Sequence, residues 1–82
     1  MSPQPVQSPE HVIFGMAVRE TRARFAMSQE ALGAASLLHR NYVGAIERGE
    51  INPTLRVLLK LSNGLPVPLS ELFALFERRL AG

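Results

Sequence analysis

Cysteine, aspartate and tryptophan are all missing from this 82-residue chain. Without cysteine there is neither a disulfide framework nor a thiolate zinc site. Without aspartate the Ser-His-Asp arrangement and most carboxylate dyads are excluded. The two histidines, His11 and His39, are far apart in sequence and have no acidic pair nearby, so no metal ligation is expected. No Gly-Lys phosphate loop is present, and no nucleophile–base–acid set can be assembled, so an enzyme is not expected. No uncharged apolar run approaches the roughly 18 residues that span a bilayer, and the N-terminus lacks the basic start and apolar segment of a signal peptide. These absences lead to the expectation of a soluble cytoplasmic domain with no cofactor, no membrane partner and no evident small-molecule effector.

What is present suffices for one small folded unit. Hydrophobic residues make up 46% of the chain, enough for a core and too many for wholesale disorder. The net charge is only +2, but eight of the nine basic residues are Arg, the side chain whose fork suits phosphate and guanine. Between Arg19 and Lys60 seven basic residues face four Glu, a local balance of +3. That distribution permits a nucleic-acid partner, although solvated helix faces would produce it too.

Residues 1–10 (MSPQPVQSPE) read as a flexible Pro-rich tail and residues 11–82 as the folded domain. From His11 onward Phe14, Val18, Thr21 and Phe25 recur at helical steps, widened by Ile13 and Ala17. Ser28 then caps a short helix from Gln29 to Ala35, and its small residues imply close packing. Ser36-Leu37-Leu38 makes a brief turn before a third helix from His39 to Arg48, which Gly49 stops. Pro53 keeps Asn52 out of helical geometry. Thr54 caps a fourth helix, Leu55 to about Gly64, with Leu55, Leu58, Leu59 and Ser62 expected on one face. Pro66 and Pro68 bracket a turn, and Ser70–Leu80 forms the last helix. No period-two β-branched run exists, so the fold class is all-α with five helices.

Residues 29–48 read QEALGAASLLHRNYVGAIER. Two helices joined by so short a turn cross at a fixed angle, which demands a small residue at the crossing and apolar residues at set offsets. Gly33 supplies the first; Leu32, Leu38, Val43 and Ile46 supply the second. This pattern resembles the Xre/Cro family of lambda-repressor-like helix-turn-helix proteins. The likeness continues through Ser28-Gln29-Glu30, Ile46-Glu47-Arg48-Gly49, Asn52-Pro53-Thr54-Leu55 and Leu69-Ser70-Glu71-Leu72, covering about residues 13–75. The segment Leu38–Val43 is most similar to the stand-alone controller proteins of restriction–modification systems. Three positions depart from the family. Leu37 stands where Gly or Asn is usual, so the turn is either reshaped or strained by about 1 kcal/mol. Pro66 replaces a frequent Gly after the fourth helix, and Ile51 replaces a basic or polar residue.

The resemblance implies a sequence-specific regulator of transcription, bound to double-stranded DNA as a homodimer on a palindromic operator. Its second motif helix would enter the major groove and present His39, Arg40 and Asn41. Arg40 either pairs with guanine O6 and N7 or meets only phosphate, and Asn41 matches adenine N6 and N7. His39 either touches a base or caps its helix. Gln29 either holds a phosphate at the start of the second helix or is a simple surface glutamine. Tyr42 divides between pure core packing and a packed ring with its hydroxyl near phosphate or the centre of the operator, and Arg48 and Asn52 between backbone contacts and structural caps. Arg22 and Glu47 match a salt bridge of the family behind the recognition helix. Phe73, Phe76 and Leu80 exceed what one small core needs; they either form a two-fold dimer patch or pack under the first helix. An antitoxin or phage-type repressor of the same fold is an alternative, as is a helix-turn-helix protein-interaction module that does not bind DNA.

Overall fold

The computed structural model describes residues 8–82, which form five α-helices. These are α1 (Pro9–Arg24), α2 (Gln29–Ser36), α3 (Arg40–Glu47), α4 (Leu55–Gly64) and α5 (Leu69–Ala81). Among the described residues there is no strand, and no helix is long and apolar enough to cross a membrane. The first seven residues of the expected tail lie outside the described residues. The other three do not behave as tail, which corrects the boundary set at His11. The Ser8 hydroxyl accepts from the His11 amide, Pro9 occupies the first helical position and Glu10 lies in the first turn. Pro loses nothing there because its missing N–H would have been unpaired, and Glu10 complements the positive helix end.

Side chains cap three of the next four helices. Ser28 accepts from the Ala31 amide, His39 from Asn41 and Thr54 from Val57. Helix α5 starts after Pro68 without a side-chain cap. The helix-turn-helix connection passes through Leu37 at φ 57°, ψ 41°, so the turn keeps its left-handed residue and is not reshaped. Leu37 contacts little there, being 81% exposed. A leucine in that conformation costs about 1 kcal/mol, the strained outcome of the two considered.

Phe14, Ala17 and Val18 of α1, Leu32 of α2, Val43 and Ile46 of α3, Leu61 of α4, Leu65 and Val67 of the following turn, and Leu72 of α5 form the core. Two glycines set the spacing around it. A methyl group on Gly15 would fall on the Glu47 carbonyl, so α1 and the end of α3 touch backbone to backbone. A methyl on Gly33 would stand 2.6 Å from the Leu38 carbonyl, which is why the two motif helices can turn so tightly. The expected apolar face of α4 is only partly correct. Leu58 packs against the core, but Leu55 and Leu59 are 67% and 50% exposed while Leu61 is fully buried. The segment LRVLLKLSNG carries two leucine stripes, and the close approach of Gly64 to Ser36 turns the stripe holding Leu61 inward. Phe25 likewise leaves the expected stripe of α1: it is the C-cap residue, and the Arg24 guanidinium lies 5.0 Å from its ring centre.

Candidate nucleic-acid interface

Glu47, the last residue of α3, is the most enclosed ionisable group near the motif, with no exposed side-chain surface. Arg22 of α1 grips it with two nitrogens, Nε to Oε2 at 2.7 Å and Nη2 to Oε1 at 3.0 Å. The third guanidinium nitrogen, Nη1, donates to the Met27 carbonyl at 2.9 Å. Gln29, at the start of α2, adds an amide donor to Oε1 at 2.9 Å. The carboxylate therefore ties α1, α2 and α3 together, and its partner Arg22 also holds the connection before α2. Burial by itself pushes the Glu47 carboxyl up; the hydrogen bonds from Arg22 and Gln29, with the charges of Arg22 and Arg19, outweigh it and hold the group below its ordinary value. The same hydrogen bond to Glu47 raises Arg22 against the opposing effect of its own burial.

The opposite end of α3 is open. His39 occupies the N-cap, where its Nδ1 accepts from the Asn41 amide at 3.0 Å. That geometry satisfies one of the unpaired amides of the first turn and commits this ring nitrogen as an acceptor. Arg40 and Asn41 follow, both exposed. Arg40 makes one contact, Nη1 to Glu30 Oε2 at 3.3 Å, with both side chains well over half exposed, so the pair is weak and easily exchanged. Glu30, Ala34, Leu38, His39 and Arg40 line a shallow depression between the two motif helices.

The remaining expected contacts fall into separate places. Tyr42 is half-buried and packs against the core. Arg48 is the C-cap of α3 and meets Glu50 with Nε and Nη2, at 2.7 and 3.2 Å. That hydrogen-bonded pairing raises Arg48 and lowers Glu50. Asn52 is exposed in the loop and lines a groove with Phe14, Leu58, Phe73 and Phe76. Phe73 and Phe76 join Phe14 in a three-ring cluster with centroids 5.8 to 6.1 Å apart, so each spends a face inside the fold. Leu80 remains 48% exposed.

Gly44 went unnoticed in the sequence. It is buried with polar side chains close by: a methyl there would lie 3.1 Å from Arg48 Nη1 and 3.4 Å from Gln29 Oε1. A glycine inside a helix costs about 0.5–1 kcal/mol relative to alanine. Its counterpart here is the path it leaves for Gln29 and Arg48 across the back of α3. The sequence signal was a glycine in the interior of an otherwise regular helix.

A short second helix, clamped at its far end and exposed at its near end across a tight turn, defines a helix-turn-helix protein. The family model described as "Helix-turn-helix" matches residues 18–72. The chain is 40% identical over 60 residues to an uncharacterised HTH-type transcriptional regulator of Bacillus subtilis (strain 168), covering 73% of this chain and 91% of that one. It is 40% identical over 62 residues to control protein C.BamHI of Bacillus amyloliquefaciens, covering 74% and 76%. The crystal structure of the restriction-modification controller protein C.AhdI from Aeromonas hydrophila is similar at a TM-score of 0.79 and 42% identity, over 80% of this chain and all of that one. The chain therefore belongs to the helix-turn-helix family of DNA-binding transcriptional regulators.

Proposed function

We propose that the protein binds double-stranded DNA as a homodimer on a palindromic operator, in the manner of a controller protein, within the cytoplasm and on the nucleoid. The observation that carries this reading is the asymmetry of α3. Its exposed first turn offers Arg40 and Asn41, while Glu47 fixes its other end through Arg22 and Gln29. In the major groove Arg40 would take guanine O6 and N7 and Asn41 adenine N6 and N7, with His39 holding the helix end that both residues share. Arg48, Asn52 and the free amide hydrogen of Gln29 are assigned to phosphates, which set register without reading sequence. Tyr42 is assigned to packing, with its hydroxyl toward the backbone of the duplex. The likeness to controller proteins supports that subgroup ahead of an antitoxin or a phage-type repressor.

The second copy is assigned to α5. Phe73 and Phe76 have one face committed to Phe14, so the two-fold contact would use their outer faces together with Leu80. Half-sites about 10 base pairs apart, centre to centre, would follow from two recognition helices on one side of the duplex. Selection from a random duplex library tests the whole reading. The expected product is a palindrome with a guanine preference in each half-site, bound with a log–log salt slope of roughly −4 to −7 for about four to eight neutralised phosphates. Binding that stays flat with salt would remove it. Leu80→Glu is a cleaner test of the dimer than a change at Phe76, since Leu80 lies outside the three-ring cluster; sedimentation should report a folded monomer that no longer holds the palindrome.

A further inference from the structure

Arg19 stands on α1 one helical turn before Arg22, and its Nε lies 3.6 Å from Glu47 Oε1. That oxygen already accepts from Arg22 Nη2 at 3.0 Å and Gln29 Nε2 at 2.9 Å, and Oε2 accepts from Arg22 Nε. Arg19 is thus beyond hydrogen-bond distance of an acceptor whose near neighbours are fully engaged. Its side chain is 64% exposed, against 16% for Arg22. Glu47 carries one negative charge between two arginines, so the cluster keeps a charge of +1. Among the described residues Arg24, Arg40, Arg48 and Arg79 each face a glutamate of their own: Glu71, Glu30, Glu50 and Glu20. Arg19 shares its glutamate. It is steered by Glu47 and not neutralised by it.

The surroundings indicate what that surplus charge would meet. Gln29 contacts the same Glu47 oxygen, and Gln29 and Arg48 come together over Gly44. The nitrogen of Arg19 nearest Glu47 is Nε, which leaves the two terminal nitrogens as donors for an anion. We infer that Arg19 holds a backbone phosphate of the bound duplex, next to the stretch assigned to Gln29 and Arg48, an assignment that rests on the DNA-binding reading above. The fork suits two phosphate oxygens, and Glu47 orients it before the duplex arrives, so part of the ordering cost of a long side chain is met in the free protein. The contact carries no sequence information, because phosphates are alike at every step.

The test compares the full chain with Arg19→Gln and Arg19→Lys on two probes, the library-selected palindrome and a random duplex. Arg19→Gln should weaken both by a similar factor, roughly 3- to 30-fold for two exposed ion pairs per dimer. It should also make the salt slope shallower by about 1.8, at about 0.9 per lost phosphate contact. Arg19→Lys should restore most of the slope, and thermal melting of all three proteins should agree. An unchanged affinity and slope would overturn the assignment. A lower melting temperature with an unchanged slope would overturn it too, making Arg19 a structural partner of Glu47. A loss confined to certain base pairs would make it a base reader instead. A parent chain that binds neither duplex would remove the DNA reading itself, and this contact with it.

Discussion

The two ends of α3 use the same pair of residue types to opposite effect. At the C-terminal end Arg22 and Glu47 meet through two short hydrogen bonds, with the carboxylate sealed from solvent. At the N-terminal end Arg40 and Glu30 meet at 3.3 Å with both side chains in water. A sealed pair is expensive to form and more expensive to break, because the survivor is left charged and unsatisfied. An exposed pair is worth about 0–1 kcal/mol and gives way to any better partner. The helix is therefore rigid at the end that Glu47 holds and free at the end proposed to face the groove. An Arg–Glu pair has no fixed meaning; its burial decides whether it is a clamp or a resting place.

Breaking the clamp should produce the largest effect. Glu47→Ala leaves Arg22 and the Gln29 amide without their acceptor and is expected to cost about 3–5 kcal/mol, a large share of the stability of a domain this size. Chemical denaturation measures it, and a loss under 1 kcal/mol would mean that water replaces the carboxylate easily. Acid sharpens the same point. Because folding lowers the Glu47 carboxyl below its unfolded value of about 4.3, its contribution is complete above that value and is lost as pH falls through the folded one. The stability gap between the parent and Glu47→Gln should hold steady from about pH 7 to 5 and narrow below about pH 4. A gap that widens in acid would contradict the lowered carboxyl.

At the open end the expected result reverses. Arg40→Ala should leave stability within about 0.5 kcal/mol of the parent while removing a guanine preference of about 1–3 kcal/mol per half-site. Selection profiles matching the parent at every position would assign Arg40 to phosphate. The smallest effect is expected in the turn between the motif helices. Leu37→Gly should stabilise the domain by about 0.5–1 kcal/mol, since it relieves the left-handed leucine and sacrifices almost no buried surface. Thermal melting decides, and a destabilised glycine variant would show that the leucine contributes contacts not visible in its 81% exposure.

Much of this was legible in the sequence because the signals were local. Ser28, Thr54 and the glycine after α3 mark helix ends by their own chemistry, and all five helices were found. The spacing of Leu32, Gly33, Leu38, Val43 and Ile46 fixed the motif. What escaped depends on how helices meet. The leucines of α4 are ambiguous until Gly64 chooses Ser36 as its neighbour, and no periodicity reveals that choice. Gly15 reads as an ordinary helix residue until the Glu47 carbonyl is placed against it. Ala26 takes a left-handed conformation, φ 55°, that nothing in an alanine announces. The Arg40–Glu30 contact spans ten residues and two helices, so composition could count the charges and not pair them.

The reach of the Glu47 carboxylate has a consequence for what can be cut out of this protein and moved. Its three hydrogen-bond donors come from Arg22 and Gln29, so the partner that anchors α3 lies 25 positions upstream. A peptide of residues 29–48 carries every side chain that would face a base pair and yet lacks Arg22. It would present Arg40 and Asn41 on a helix of eight residues, too short to persist in water by itself. On the proposed reading, the transferable unit is therefore larger than the helix-turn-helix motif itself. A graft that is to keep its letters must bring α1 along, together with the glycine on which α3 rests.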